Sequence, residues 1–122
     1  MEQPNRFQKL VAQAKQNITE ISPAEARKQA EAGDAILIDV REESDWREGH
    51  AAGATHLSRG VVELEIEEHV PDLGKPIICY CGGGSRSALV AESLQRMGYE
   101  NVRSMAGGLR AWNESGLPTA TE

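Results

Sequence analysis

Two short apolar runs constrain this chain more than any other feature: Ala35-Ile36-Leu37-Ile38-Asp39-Val40 and Pro76-Ile77-Ile78-Cys79-Tyr80-Cys81. Neither alternates apolar with polar residues, so neither suits a sheet with one wet face. A run that is apolar at nearly every position fits a strand covered on both sides, as in a parallel sheet. Val102-Arg103-Ser104-Met105 reads as a third, shorter strand. The segments between these runs carry helix signals. Ser22-Pro23-Ala24-Glu25 offers a capping serine, a proline at the first helical position and a glutamate to complete a capping box. That helix is expected to run to Gly33. A second helix is expected over residues 86–97, burying Leu89, Val90, Leu94 and Met97 and stopped by Gly98. A last one is expected over 109–115, with Trp112 inward and Gly116 and Pro118 as its end. Strand and helix in alternation predict an α/β fold with a mainly parallel central sheet.

Other stretches are less determined. Phe7, Leu10, Val11 and Ala14 stand at helical spacing, which predicts a short amphipathic helix over 7–16 packed on the body of the domain. Residues 41–59 read as a polar connection turning at Gly49, His50 and Gly53. In residues 60–70, Val62, Leu64 and Ile66 alternate like a strand while the glutamates favour a helix, so the segment is left as a connection bordering a site.

The chain has 122 residues, enough for one domain with a core of its own. Thirteen Lys and Arg against nineteen Asp and Glu leave a net charge of −6, which argues against a nonspecific nucleic-acid partner. No long apolar run predicts a membrane-spanning helix. The start lacks the apolar centre of a signal peptide, and the two cysteines, Cys79 and Cys81, are no disulfide scaffold; a cytoplasmic protein is expected.

Ligands of parallel sheets bind at the carboxyl ends of strands. Cys81 closes one such strand and is followed by Gly82, Gly83, Gly84, Ser85 and Arg86 at the start of a helix. Glycines let the backbone turn and converge its N–H groups, a helix N-terminus adds partial positive charge, and Arg86 adds a full one. The combination predicts an anion cradle with a sulfur at its base. Such a field favours thiolate over thiol, the nucleophilic form, and needs no separate general base. Cys79 is expected to be a core residue rather than a resolving thiol. His50, His56 and His69 with the Cys-x-Cys spacing fit no usual zinc pattern, so no metal and no cofactor are expected; His50 and His56 are expected to fix turns. Asp39 and Arg41 are expected as a buried pair holding the loop, Arg59 either as a donor contact or as a solvated surface residue, Trp46 and Trp112 as core anchors, and the run of Glu63, Glu65, Glu67 and Glu68 as a solvated face.

Three ordered motifs resemble the rhodanese-like domain family: Asp39-Val40-Arg41-Glu42 with Trp46, Gly49-His50, Gly53-Ala54 and His56-Leu57; Cys81-Gly82-Gly83-Gly84-Ser85-Arg86-Ser87; and Gly107-Gly108 with Ala111-Trp112 and Gly116-Leu117-Pro118. The resemblance runs over about residues 18–118, leaving 1–17 as an N-terminal helical extension and 119–122 as a C-terminal tail. It implies a three-layer fold with helices on both faces of the sheet. It also implies a sulfurtransferase that moves a sulfane sulfur from a donor such as thiosulfate to cyanide or a thiol, through a persulfide on the cysteine. Carried over, Cys81 is the nucleophile; the amides of Gly82, Gly83, Gly84, Ser85 and Arg86 hold the persulfide; and Arg86 steadies an anionic donor. The implied partners are small sulfur-containing anions and thiol or protein sulfur acceptors. The alternative is a carrier or interaction module that relays persulfide between proteins. Related cysteine phosphatases place five residues between Cys and Arg, whereas four stand here. Asp45, Ala51 and Ser58 replace a more usual Glu, a larger aliphatic and a Pro, and the loop carries no cation before Arg86, which leaves the donor open.

Overall fold

A computed structural model of the chain describes residues 3–122. The first two residues of the expected extension lie outside it. The elements are α1 (Arg6–Gln16), β1 (Thr19–Ile21), α2 (Pro23–Glu31), β2 (Ile36–Asp39), α3 (Glu43–Glu48), β3 (His50–Ala51), β4 (Thr55–His56), α4 (Val62–His69), β5 (Ile77–Tyr80), α5 (Ser85–Arg96), β6 (Val102–Met105), α6 (Gly108–Glu114) and β7 (Thr119–Ala120). Five strands form a parallel sheet in the order β1-β6-β5-β2-β4. The remaining two, β3 and β7, pair antiparallel as a separate ribbon.

The two apolar runs lie side by side, from Ile36 opposite Ile77 to Asp39 opposite Tyr80. Their side chains alternate between two cores, which is why all but the closing Asp39 are apolar or aromatic. On one face Ile38, Val40, Ile77 and Cys79 meet Val62 and Ile66 of α4 and Val90, Ala91 and Leu94 of α5. On the other, Leu37, Ile78 and Tyr80 meet Ala26 of α2 and Leu109 and Trp112 of α6. The result is the expected α/β arrangement, with helices on both faces.

Several local expectations change. Residues 60–70 hold a helix: Val62 and Ile66 point inward one turn apart, while Leu64 between them is exposed, so the apparent alternation is part of a helical stripe. Residues 41–59 are more than a connection, since they contain α3, β3 and β4. The strand β1 went unpredicted because three residues, two of them polar, carry almost no periodic signal. Residues 119–122, expected as a tail, include β7, which pairs with His50 and Ala51. Ser22 does cap α2, accepting from the Glu25 N–H at 3.1 Å, but the Glu25 carboxylate accepts from the Gln29 side chain instead of returning to Ser22. The complete capping box belongs to α1, where Asn5 and Gln8 bond each other's backbone N–H groups at 2.7 and 2.8 Å. This helix docks on α5 through buried Val11 and Ala14, leaving Phe7 and Leu10 about half exposed.

Candidate active site

The carboxyl ends of the adjacent strands β2, β5 and β6 converge, and each contributes a loop to the site. Cys81 is the first residue beyond β5 and is almost fully buried. The chain then turns through Gly84, whose φ of +98° is a left-handed conformation open to glycine, and enters α5. Gly82 and Gly83 adopt no such φ, and a β-carbon on either would meet no described atom within 4 Å. Only one of the three glycines is therefore required by backbone geometry.

The Cys81 sulfur accepts from the Gly84 N–H at 3.1 Å and the Ser87 N–H at 3.4 Å. The Ser87 hydroxyl lies 3.5 Å from the sulfur and 2.8 Å from the hydroxyl of Ser104, and both serines are fully buried. Burial pushes the Cys81 thiol up. The Ser87 hydroxyl and the amides of Ser87, Gly84 and Gly83 more than offset that, and the pKa falls below its ordinary 9.0. Cys79 behaves oppositely: burial, with Cys81 nearby, pushes its thiol up to about 12, and it sits in the core as expected.

Above Cys81 opens a cavity of about 390 Å³ walled by Gly82, Gly83, Ser85 and Arg86, with Arg41, Asp45 and Phe7 across from them. The structure thus brings all six predicted loop residues together. Of the five predicted amides, that of Gly84 bonds the unloaded sulfur, and that of Gly83 also helps to lower its pKa. The Arg86 guanidinium is half exposed, 3.8 Å from the Glu42 carboxylate. Arg59 lies outside this cavity, in a neighbouring groove with Glu42, Gly60 and Glu63.

The loop after β2 is held by ion pairing. Both oxygens of buried Asp39 accept from the Arg41 side chain at 2.8–3.1 Å, and the guanidinium also donates to the Gly49 carbonyl at 2.7 Å. The pair is present as expected, and what it fixes is the turn at Gly49 as well as Arg41 at the cavity wall. His50 and His56 donate to the carbonyls of Trp46 and Arg41 at 2.9 and 2.8 Å, and so fix turns. Trp46 is not the expected core anchor. It is half-buried and stacks on His50, ring centroids 3.4 Å apart, and on His56 at 5.1 Å. Trp112 is fully buried and donates to the Pro118 carbonyl.

Sequence reasoning missed five contributors, among them Asp45 of α3, which lines the cavity. Phe7 reaches the cavity from α1. Ser87 stands within the quoted motif but faces the sulfur only because α5 begins at Ser85. Ser104 comes from β6, where nothing local points to it. Gly108, with φ +57°, begins α6 against the loop: the Leu109 N–H donates to the Cys81 carbonyl at 2.8 Å and the Arg110 N–H to the Gly82 carbonyl at 3.1 Å. The Gly107-Gly108 pair was its visible signal.

Comparison with known proteins places the chain in a family. The rhodanese-like domain family matches residues 22–115. The thiosulfate sulfurtransferase GlpE of Haemophilus influenzae (strain PittEE) is 40% identical over 102 residues, 84% of this chain and 94% of that protein. The polysulfide-sulfur transferase homodimer of Wolinella succinogenes superposes with a TM-score of 0.81 at 31% identity, over 93% of this chain and 86% of that one. A protein of unknown function from Rhodopseudomonas palustris, a possible tyrosine phosphatase, superposes with a TM-score of 0.82 at 29% identity, over 98% and 99% of the two chains.

Proposed function

The chain belongs to the rhodanese-like domain family, and we propose that it is a sulfurtransferase carrying the moving sulfur as a persulfide on Cys81. The observation that carries this reading is the Cys81 sulfur itself, buried at the base of the loop, with two amides directed at it and its pKa lowered. A thiolate held in that way attacks the outer sulfur of thiosulfate. The new bond joins Cys81 to that sulfur, the old sulfur–sulfur bond breaks, and sulfite leaves with the electron pair. Cyanide or an acceptor thiolate then attacks the outer sulfur, and the Cys81 thiolate is the leaving group. Negative charge rests on sulfur throughout, and preorganised N–H donors serve such charge without reorganising. The named thiosulfate sulfurtransferase relative supports thiosulfate as the donor. Four residues between Cys81 and Arg86 support sulfur rather than phosphate chemistry, because the shorter loop is tight for a phosphate group.

The test is intact mass after exposure to thiosulfate. The protein should gain one sulfur atom and lose it to cyanide with release of thiocyanate. Cys81→Ser should gain none. A folded protein that stays unmodified, or a Cys81→Ser variant that still loads, would overturn the proposal.

A further inference from the structure

We propose that Ser104 is a positioning residue for Cys81, acting through Ser87: its hydroxyl donates to Ser87 Oγ and directs the Ser87 hydrogen at the sulfur. Both hydroxyls are fully buried, so their hydrogens must find acceptors within the protein. Among the described residues, Ser104 Oγ has one side-chain partner, Ser87 Oγ at 2.8 Å, and Ser87 Oγ has two, Ser104 and the Cys81 sulfur at 3.5 Å. If Ser104 donates to Ser87, then Ser87 donates to the sulfur, and neither hydrogen is left over. That arrangement makes the sulfur an acceptor, a role that a thiolate fills strongly and a thiol only weakly. Reversing both bonds lets a thiol donate to Ser87 and Ser87 donate to Ser104, but the Ser104 hydrogen then has no acceptor. An unpaired buried donor is costly, so the chain is biased toward the anionic sulfur. Bonds in series also polarise one another, and the Ser87–sulfur contact is long enough to depend on its rotamer being held.

The surroundings leave this arrangement to act on Cys81. Ser104 lies beside Cys79 in the β5–β6 register, and Cys79 is a buried thiol. On its other flank the register partner is Glu20 of β1, which is paired with Lys15 at 3.5 Å near the surface. The charged groups near the sulfur are Arg41, Asp45 and Arg86, all on the cavity wall and none bonded to either serine. The inference concerns the ionisation of Cys81 and can be tested without any sulfur donor.

The experiment is the rate of Cys81 alkylation by iodoacetamide against pH, located by mass, for the wild type, Ser104→Ala, Ser104→Thr, Ser87→Ala and the Ser87→Ala/Ser104→Ala double variant. Ser104→Ala should move the profile to higher pH and slow alkylation near neutrality about threefold, within the range of one net hydrogen bond. Ser104→Thr, which retains the hydroxyl, should restore the wild-type profile. The double variant should match Ser87→Ala alone, because Ser104 acts through Ser87. A Ser104→Ala profile that coincides with wild type, or an effect that adds fully to Ser87→Ala, would overturn the inference. Failure of sulfur loading with a shifted alkylation profile would count against the transferase reading and not against this one.

Discussion

The backbone of Gly108 is packed directly against the carbonyl of Cys81: a β-carbon at 108 would overlap that oxygen and stand 2.7 Å from the carbonyl carbon of Gly82. The glycine pair opening α6 therefore sets the position of the sulfur loop from outside it, through the bonds from Leu109 and Arg110. Gly108→Ala must push the loop away and also hold alanine at φ +57°. The left-handed conformation alone costs about 1–2 kcal/mol, and with the overlap the loss of stability should be about 3 kcal/mol or more. Thermal unfolding and persulfide loading should both fall. Gly82→Ala should leave unfolding nearly unchanged, since its β-carbon has open space. Equal stability of the two variants would show that the clamp is not rigid.

The open position at Gly83 permits a gain-of-function test. Its β-carbon would meet no described atom, it lines the cavity, and the loop supplies no cation before Arg86. Gly83→Lys places an ammonium beside the route of an anionic donor. At partly screened distances this should lower the KM for thiosulfate about three- to tenfold, with the gain shrinking as salt is raised. Steady-state kinetics at two ionic strengths checks it. An unchanged KM at low salt would mean that thiosulfate does not pass Gly83.

These two glycines also mark what was legible in the chain and what was not. The sheet could be read because β2 and β5 are buried on both faces and announce it at nearly every position. The sulfur site could be read because Cys81 to Arg86 is contiguous. Ser104 could not be: its role comes from the parallel register that sets it opposite Cys79, and a four-residue strand says nothing of its neighbour. Trp46 was misplaced for a related reason. Aromatic bulk suggests a core, but α3 is a short surface helix burying no residue, and the indole instead stacks on two histidines brought to it by tight turns. The clamp at Gly108 was visible as a motif, yet its purpose lay in a contact across more than twenty residues of chain.

The two cysteines should separate in a pH profile. Loading by thiosulfate should follow the Cys81 thiolate, rising with pH through a pKa below 9.0 and then levelling off. Because that pKa is depressed on folding, the ionised sulfur contributes stability that is present above the unfolded value and lost as pH falls through the folded one. Cys79, held near 12, stays a thiol over the same range. Cys79→Ala should therefore keep the loading profile and cost about 1 kcal/mol from the small cavity it leaves. A Cys79→Ala variant that loads but no longer releases sulfur would assign Cys79 a chemical role.

Arg86 should divide binding from folding. Its side chain is 51% exposed, and its ion pair with Glu42 spans 3.8 Å between two solvent-facing groups. Exposed pairs of this kind contribute about 0–1 kcal/mol, so Arg86→Ala should unfold within a few degrees of wild type. The guanidinium nevertheless lines the cavity that holds the Cys81 sulfur, where a charge-assisted contact with an anionic donor counts for more than a neutral one. The KM for thiosulfate should rise about tenfold, while alkylation of Cys81 by neutral iodoacetamide should change less than threefold. Arg86→Lys should recover only part of the loss, because an ammonium keeps the charge without the planar fork. Parallel loss of stability and donor use in Arg86→Ala would assign this residue to the scaffold and leave the donor's charge to be met by the loop amides and Arg41.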